Sequence, residues 1–472
     1  MSNQSKTSDT NSGSGVSTMA QERIFGTDGI RGRAFDGWLT TDAVSALGRA
    51  LGRLLKQTDP NAKHLTLIGH DGRRSGPALE TALASGLTQM DVESVSAGLI
   101  PTPGLAWLTR DKDFTLGAMI SASHNPSQDN GIKLFSASGG KLDDETELEL
   151  EALLREELAQ PSIPGRSPRL NGELELEYLA HLIETAGAGL DLSGWPIVID
   201  CANGAGSRVA PRALGRLGAQ THPIAAEPDG DNINQNCGST HPEGLRETVR
   251  ARKASIGIAL DGDGDRCILV DENGEVVHGD GIMTMLGRHA AQMGRMKDPR
   301  IVATVMSNRG LNRALREVGV EVIEVGVGDR AVVERLRSEG LELGGEQSGH
   351  IVLGEANAFI GDGTYTALAV LQVMAESGKP LSELAAPFQP LPQILLNVPV
   401  RSKPNLRELP DVLELVQQTE DELAPDGRVL LRYSGTEDLA RVMVEGLDPE
   451  RIGVLARQIA HSIQRQIGTE TS

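Results

Sequence analysis

The stretch WPIVIDCANGAGSRVAPRALGRLG, residues 195–218, displays the pattern that decides the fold of this chain. A short apolar, β-branched run leads into a glycine-containing loop, and the loop leads into a segment with helical spacing of its apolar residues. The same order recurs in HLTLIGHD before GPALETALASGL, residues 64–87, and in IVATVMSN before LNRALREVG, residues 301–319. Repetition of strand, loop and helix predicts α/β domains with mixed, mostly parallel sheets, whose ligands sit at the carboxyl ends of strands.

The length of the chain and its proline- and glycine-rich interruptions predict the domain organisation. A chain of 472 residues with 39% hydrophobic content is long enough for about three or four domains. Runs rich in proline and glycine interrupt the pattern at residues 159–173 and 390–400, and a turn follows a strand at 270–281. The first 20 residues lack the apolar core of a signal peptide and are predicted to be a disordered tail. The predicted domains are residues 21–175, 176–280, 281–392 and 393–472.

Charge and cysteine content exclude several classes of protein. With 45 basic and 65 acidic residues, the net charge of −20 disfavours binding to nucleic acid or to anionic lipid. No apolar run approaches the length of a membrane span. Cys201, Cys237 and Cys267 are too far apart for a metal or redox motif, and their odd number argues against a disulfide framework. We therefore expect a protein of the reducing cytoplasm.

The strongest chemical signal is IGIALDGDGDRCILV, residues 256–270. An apolar strand leads into Asp261, Asp263 and Asp265, and the intervening glycines let the backbone curl so that the carboxylates converge. Three carboxylates close together repel one another unless a cation lies between them. Ligation by oxygen alone favours Mg²⁺ over zinc, because the cluster contains neither histidine nor thiolate.

A calcium loop is the alternative interpretation of this segment. Glu272 stands at the twelfth position counted from Asp261, where a calcium loop has a bidentate glutamate. The sixth position is Arg266, however, whereas the sharp turn of a calcium loop needs glycine there. Strands rather than helices are also predicted on both sides. Magnesium is therefore the favoured ion.

Ser123 lies in the segment AMISASHNPSQDNGIKLF, residues 118–135, and raises the question of how it would be activated. His124 is adjacent, and successive side chains on an extended backbone point to opposite sides, so His124 is predicted to be a poor base for Ser123. The chain also has no G-x-S-x-G elbow. A serine that binds Mg²⁺, or carries a phosphate that does, needs no adjacent base, because the ion polarises the phosphoryl group.

Five motifs in the chain together resemble those of the α-D-phosphohexomutase superfamily, and within it those of the bacterial phosphoglucosamine mutase family. They occur in the order found in that superfamily and span about residues 21 to 446. The motifs are FGTDGIRG (25–32), ISASHNPSQDNGIKLF (120–135), DGDGDR (261–266), GGEQSGH (344–350) and RYSGTE (432–437).

The resemblance implies four domains around a central cleft, namely three related α/β domains and a smaller C-terminal α+β domain. In order, they would carry the phosphoserine loop, the metal-binding loop, the sugar-binding loop and the phosphate-binding loop. Ser123 would be the phosphoserine, and would share one Mg²⁺ with Asp261, Asp263 and Asp265.

The implied reaction is the interconversion of glucosamine 6-phosphate and glucosamine 1-phosphate, for synthesis of UDP-N-acetylglucosamine. The serine phosphate passes to the sugar, and the bisphosphorylated sugar, which also acts as activator, turns over and returns its other phosphate. GGEQSGH and TVMSN, residues 304–308, favour this reaction over those of phosphomannomutase and phosphoglucomutase. The enzyme would be a monomer or a homodimer.

Further site residues follow from the motifs. Lys133, Arg31 and His350 are candidates for proton handling and charge neutralisation. Arg73 and Arg74 are candidates to neutralise the anionic centre. The predicted substrate-binding residues are Glu346, Ser348, Arg266, Asp329 and Arg330. The predicted phosphate-binding residues are Arg432, Ser434, Gly435, Thr436 and Arg441, which supply hydroxyl, backbone N–H and guanidinium donors.

Three other functions remain as alternatives. Gly326, Gly328 and Ala331 form a G-x-G-x-x-A pattern with Glu346 about twenty residues on, which is typical of dinucleotide-dependent oxidoreductases. That pattern is short, and it explains none of the other four motifs. A sugar-phosphate-binding protein without catalysis would be expected to lack Ser123 or one of the aspartates, and all four are present. A phosphatase would differ from a mutase by releasing inorganic phosphate.

Overall fold

The computed structural model describes residues 23–161, 163, 166–434 and 437–469. The predicted N-terminal tail and the predicted phosphate-binding residues Gly435 and Thr436 lie outside the described residues. By the contacts among its residues the chain divides into two compact units. The first runs to Val276 and includes Val352–Gln372, and the second comprises Val277–Ile351 and the chain from Val373 onward.

A six-stranded sheet forms the N-terminal part of the first unit. Its strands are β1 (Ile30–Arg33), β2 (Leu65–His70), β3 (Glu93–Leu99), β4 (Leu116–Ile120), β5 (Asp129–Ser136) and β6 (Arg169–Leu170), and its helices are α1 (Thr41–Thr58), α2 (Gly76–Gln89), α3 (Thr102–Asp111) and α4 (Asp144–Glu157). The order across the sheet is β1-β5-β4-β2-β3-β6. Strands β4, β2, β3 and β6 run parallel, and β5 runs against β1 and β4. The loops after β2 and β4 therefore leave the sheet at the same edge.

The core of this sheet gives Ser123 a rigid base. Leu47 and Leu51 of α1 and Leu83 of α2 pack in one buried cluster with Ile68 and Ile120. All five residues of β4 are buried. Because close-packed interiors resist small displacements, the end of β4, three residues before Ser123, is fixed in position.

A five-stranded sheet forms the second α/β part of the first unit. Its strands are β7 (Pro196–Asp200), β8 (Gln220–Ile224), β9 (Ile256–Leu260), β10 (Cys267–Val270) and β11 (Val276–Val277), and the helices are α5 (Glu173–Glu184), α6 (Gly206–Arg216) and α7 (Glu243–Arg252). The order is β11-β10-β9-β7-β8, with β7 parallel to β8 and β9 and with β10 antiparallel to β9. Leu260 pairs with Cys267, so residues 261–266 form the loop of a hairpin between two buried strands.

The third sheet has four strands in the order β13-β12-β14-β15. They are β12 (Arg300–Thr304), β13 (Glu321–Val325), β14 (Gly344–Gly345) and β15 (Ile351–Val352), and the helices of this part are α8 (Gly279–Gln292), α9 (Arg309–Arg316), α10 (Asp329–Glu339), α11 (Gly363–Ser377) and α12 (Leu381–Ala385). Strand β12 is parallel to both of its neighbours.

The C-terminal part of the second unit is a smaller α+β domain. Its antiparallel sheet has the order β16-β18-β17. The strands are β16 (Gln393–Pro399), β17 (Arg428–Tyr433) and β18 (Leu439–Glu445), and the helices are α13 (Pro410–Leu423) and α14 (Pro449–Ile467). The predicted fold class, three α/β parts and a smaller α+β part, is thereby confirmed. Among the described helices, none combines the length and the apolar character needed to cross a membrane.

Candidate active site

Ser123 lies in the loop that follows β4, and its backbone is in the left-handed region with φ of 51°. The residue is buried, and its N–H donates to Ser121 Oγ at 2.8 Å. Its own Oγ donates to Asp261 Oδ2 at 2.6 Å. The structure thus brings the predicted serine to the predicted acidic loop across 138 residues of sequence.

The prediction that Ser123 and His124 point to opposite sides was wrong. It assumed an extended backbone, whereas the positive φ of Ser123 turns the chain so that His124 Nδ1 lies 3.4 Å from Ser123 Oγ. Burial lowers the pKa of His124, and the guanidinium groups of Arg266 and Arg31 lower it further. His124 therefore lies beside the serine oxygen, although the sequence argument had dismissed it as a partner of Ser123.

Arg73 donates hydrogen bonds to the backbone of the loop that carries Ser123, and does not neutralise the aspartate cluster as predicted. Its side chain is fully buried, and its Nε donates to Asp71 Oδ2 at 2.8 Å. Its Nη atoms donate to the main-chain oxygens of Ser123, Asn125, Pro126 and Asp129. Arg74, in contrast, is exposed and pairs with Asp231. Neither side chain therefore supports the predicted role in neutralising the centre.

Arg73→Met should destabilise the protein by about 3–5 kcal/mol, because it leaves a buried carboxylate and several carbonyl groups without their donor. Urea unfolding measures this change in the free energy of unfolding. Arg74→Met is the matched control, and loss of its exposed ion pair should lower the free energy of unfolding far less, because solvent screens surface charges. Equal losses in the two variants would contradict the scaffold role of Arg73.

Asp261, Asp263 and Asp265 converge as predicted. All three are buried, and one carboxylate oxygen from each lies within 4.8 Å of the others. Burial raises the pKa of Asp261, and the charges of Asp265 and Asp263 raise it further because like charges repel one another. Among the described residues, Asp263 Oδ1 is buried without a hydrogen-bond partner. An unsatisfied oxygen in a converging set of carboxylates fits a divalent cation with oxygen ligands.

Strands flank this loop on both sides, as predicted from the sequence. Strand β9 ends at Leu260 and β10 begins at Cys267. The helices of a calcium-binding helix–loop–helix are therefore absent from these described positions. The calcium alternative loses its structural basis.

Lys133 occupies the other side of the aspartates. Its side chain is 2% exposed, and its Nζ lies 2.8 Å from Asp263 Oδ2, 3.2 Å from Asp265 Oδ2 and 3.3 Å from Asp28 Oδ2. Burial alone would lower the pKa of Lys133, but the three carboxylates outweigh it and raise that pKa well above its usual value. Lys133 is therefore a charged group beside Asp263 and Asp265, which lie in the same cluster as the aspartate that accepts the hydrogen bond of Ser123.

Asp28 and Thr102 are site residues that sequence reasoning missed. Burial would raise the pKa of Asp28, but Lys133, Lys141 and Arg31 hold it well below its usual range. Thr102 Oγ1 donates to Asp263 Oδ2 at 2.6 Å. Asp28 could have been identified from the sequence because it lies in the motif FGTDGIRG, whereas Thr102 belongs to none of the five motifs.

A basic cavity of about 510 Å³ opens beside His124. Arg23, Arg31 and Arg266 line it together with Asp28. Arg31 is held in place by a hydrogen bond from Nη1 to Ala122 O at 2.7 Å and by its ion pair with Asp28. Three guanidinium groups around one space suit an anionic ligand, because each offers several donors in a planar fork.

Of the predicted substrate-binding residues, Arg266 lies in the first unit, and the other four lie in the second unit together with His350. GGEQSGH forms a tight turn between β14 and β15, in which Gly349 N donates to Glu346 O and Glu346 N donates to His350 O, both at 3.0 Å. Glu346 Oε1 accepts a hydrogen bond from Gly328 N at 3.3 Å. His350 Nε2 lies 3.9 Å from Asp329 Oδ2. Glu346, Asp329 and His350 are thus brought together, while Ser348 is exposed on the same turn and Arg330 is the second residue of α10.

The predicted phosphate-binding residues lie on the hairpin of β17 and β18. Arg432 and Arg441 are directly opposite each other in the register of the two strands. Arg441 Nη2 donates to Ser434 Oγ at 3.3 Å and lies 3.6 Å from Glu437. Like charges opposite each other on a sheet are unfavourable unless an anion lies between them. The arrangement of the described residues therefore fits a bound phosphate.

Models of a single family match almost the whole described chain. They are the phosphoglucomutase/phosphomannomutase alpha/beta/alpha domain I at residues 22–160, domain II at 176–274, domain III at 278–391, and the C-terminal domain at 395–462.

Curated relatives carry a more specific name. The phosphoglucosamine mutase of Syntrophotalea carbinolica is 44% identical over 96% of this chain and 99% of its own. The phosphoglucosamine mutase of Gluconacetobacter diazotrophicus is 48% identical over 93% of this chain and 97% of its own.

Solved structures share the fold. A phosphoglucomutase/phosphomannomutase family protein of Burkholderia thailandensis has a TM-score of 0.78 at 24% identity and covers 95% of this chain and 99% of its own. The N-acetylphosphoglucosamine mutase of Aspergillus fumigatus has a TM-score of 0.63 at 18% identity, over 94% of this chain and 96% of its own.

Proposed function

The chain belongs to the phosphoglucosamine mutase family of the phosphohexomutases, and on that premise we propose that it interconverts glucosamine 6-phosphate and glucosamine 1-phosphate through phosphorylated Ser123. The observation that carries this proposal is the hydrogen bond of 2.6 Å from Ser123 Oγ to Asp261, inside a cluster of three carboxylates. A reactive oxygen beside a cation site is what transfer of a phosphoryl group requires.

In the proposed forward reaction, the sugar hydroxyl at carbon 1 attacks the phosphorus on Ser123. The new oxygen–phosphorus bond forms as the Oγ–phosphorus bond breaks, and the proton of the sugar hydroxyl passes to Ser123 Oγ. The sugar then holds two phosphates. After it turns over, Ser123 Oγ attacks the phosphate at carbon 6 and regains its ester, with proton transfer in the opposite direction.

Asp261, Asp263, Asp265 and Ser123 are the proposed ligands of one Mg²⁺. When bound, the ion would neutralise charge on the phosphoryl oxygens and polarise the phosphorus toward attack. Lys133, with its ammonium buried against two of these carboxylates, would keep the cluster from excess negative charge. Arg31 and Arg266 line the basic cavity and would bind phosphoryl oxygens.

Residues of the sugar-binding and phosphate-binding motifs are the proposed contacts of the sugar phosphate. We propose that Glu346 accepts a hydrogen bond from the ammonium of the amino sugar, and that Ser348, Asp329 and Arg330 contact its hydroxyls. His350, buried beside Asp329, would assist proton transfer. The described members of the phosphate loop, Arg432, Ser434 and Arg441, would hold the distal phosphate together with Gly435 and Thr436.

This proposal is accompanied by assignments of domain boundaries, cellular location, oligomeric state and activator. We propose domain boundaries near residues 175, 280 and 392, a cytoplasmic enzyme that is a monomer or a homodimer, and activation by a bisphosphorylated sugar. The product would supply synthesis of UDP-N-acetylglucosamine. Sedimentation analysis distinguishes the two oligomeric states.

A coupled assay of glucosamine, glucose and mannose 6-phosphates, with and without a trace of the matching 1,6-bisphosphate, tests the proposed substrate. We expect kcat/KM to favour glucosamine 6-phosphate by about 10- to 100-fold, because a charge-assisted hydrogen bond to Glu346 contributes roughly 1.5–3 kcal/mol. Glu346→Gln should therefore lower kcat/KM for glucosamine 6-phosphate more than it lowers kcat/KM for glucose 6-phosphate. A preference of the unaltered enzyme for glucose or mannose would instead indicate phosphoglucomutase or phosphomannomutase activity.

A further inference from the structure

The acidic loop, residues 261–266, is held by the first residues of two helices. At the start of α3, Thr102 N donates to Asp263 O at 2.9 Å and Thr102 Oγ1 donates to Asp263 Oδ2 at 2.6 Å. At the start of α11, Gly363 N donates to Gly264 O at 3.0 Å. A Cβ on Gly363 would lie 2.3 Å from Arg266 O, so this helix approaches the loop as closely as backbone atoms allow. The two helices therefore determine where the loop sits.

Tyr178 of α5 connects these two helices. Its hydroxyl donates to Asp362 Oδ2 at 2.7 Å, and Asp362 Oδ1 in turn accepts from Tyr365 N at 2.9 Å, which caps the first turn of α11. The other side of Tyr178 packs on α3, where a Cβ on Gly104 would lie 2.7 Å from its ring. Tyr178 and Asp362 are both buried. One side chain thus contacts both helices that hold the loop.

A second contact strengthens the same connection. Trp107 of α3 stacks on His181 of α5 with ring centroids 4.3 Å apart, and His181 Nε2 lies 3.2 Å from Asn357 Oδ1 in the segment before α11. Helix α5 therefore connects α3 to the segment at the start of α11 through two side chains, Tyr178 and His181. The hydrogen bond from Tyr178 to Asp362 is nevertheless the contact nearest to Gly363 in sequence.

We propose that Tyr178 and Asp362 are positioning residues for the metal loop. Neither contacts the reacting groups. By fastening the starts of α3 and α11, they set the separation of Asp263 from Asp265 and therefore the affinity of the cluster for Mg²⁺. Because metal sites depend on ligand positions within fractions of an ångström, loosening of α11 would reach the carboxylates through Gly264 and Arg266. This inference rests on the proposed role of the three aspartates as Mg²⁺ ligands.

Calorimetric titration of Mg²⁺ into the metal-stripped protein tests the proposal with Tyr178→Phe, which removes one hydroxyl and keeps the ring against Gly104. We expect the Mg²⁺ dissociation constant to rise about tenfold, in the range seen for other groups that orient metal ligands. At limiting Mg²⁺ the turnover number should fall, excess Mg²⁺ should restore it, and KM for glucosamine 6-phosphate should stay unchanged. Tyr365→Phe, which alters a largely buried tyrosine of α11, is the matched control and should bind Mg²⁺ like the unaltered chain.

Other outcomes separate the inference from the proposed function. Normal Mg²⁺ affinity of Tyr178→Phe, or an equal loss in Tyr365→Phe, would overturn the positioning role and leave the mutase assignment intact. Failure of the unaltered protein to bind Mg²⁺ would instead overturn the metal site itself. Combination with Asp362→Ala adds a double-mutant comparison, with circular dichroism checking that Asp362→Ala is folded. If the two residues act as a pair, the double variant binds Mg²⁺ little worse than Asp362→Ala, whereas effects that multiply contradict the pairing.

Discussion

Ser123→Gly is expected to abolish interconversion of the two glucosamine phosphates, with a loss in kcat of about 10⁴-fold or more, because the phosphate carrier is removed. The fold should remain, since glycine adopts the positive φ of this position without strain. The hydrogen bond from the backbone N–H of residue 123 to Ser121 Oγ is also independent of the side chain. The coupled assay measures the turnover, and circular dichroism checks the fold.

Ser127→Ala is the matched control for this variant, because it removes a hydroxyl from the same loop at a position without a proposed role. Intact mass of the purified proteins should detect a phosphate on the unaltered chain and on Ser127→Ala, but none on Ser123→Gly. Substantial mutase activity of Ser123→Gly would defeat the proposed mechanism. Release of inorganic phosphate without isomerisation by the unaltered enzyme would make it a phosphatase.

Asp263→Asn should raise the Mg²⁺ dissociation constant by about 100-fold or more, beyond the loss caused by residues that only orient a ligand. The substitution keeps the shape of the side chain and removes one of three negative charges from the cluster. It also weakens the pairing of Lys133, whose Nζ lies 2.8 Å from Asp263 Oδ2. Calorimetry measures the affinity, and turnover at saturating Mg²⁺ should still be well below that of the unaltered enzyme.

Glu272→Gln is the control that also tests the calcium alternative. Glu272 would supply the twelfth-position ligand of a calcium loop, but the Mg²⁺ site built from the three aspartates does not include it. We therefore expect normal Mg²⁺ affinity and normal activity in Glu272→Gln. A loss comparable to that of Asp263→Asn would contradict the assignment of ligands.

The α/β architecture and the acidic loop were predictable from the sequence because both depend on local patterns. The strand β9 is apolar throughout, and Asp261, Asp263 and Asp265 follow it at alternate positions separated by glycine. Spacing of this kind fixes which side chains can converge, whatever the rest of the chain does. The ordered motifs likewise predicted the family, which the matching family models and relatives confirm.

The environment of Ser123 was less predictable. Its neighbour His124 was misjudged because an extended backbone was assumed, and a left-handed residue within a non-glycine loop has no clear local signal. Arg73 was expected at the anionic centre, but burial turned its donors toward the carbonyl groups of the serine loop. The positions of both side chains depend on the packing around the loop, which the local sequence does not specify.

The sequence by itself determined the types of element, the chemistry of the acidic loop and the family of the chain, because these are properties of short segments. Only the tertiary structure decided that Ser123 Oγ meets Asp261, that Lys133 lies among the carboxylates, and that Tyr178 bonds Asp362 across 184 residues. Such pairings arise where sheet edges and helix starts from distant segments are packed together. Burial then leaves each polar group with the partner that packing brings to it, and no local pattern carries that information.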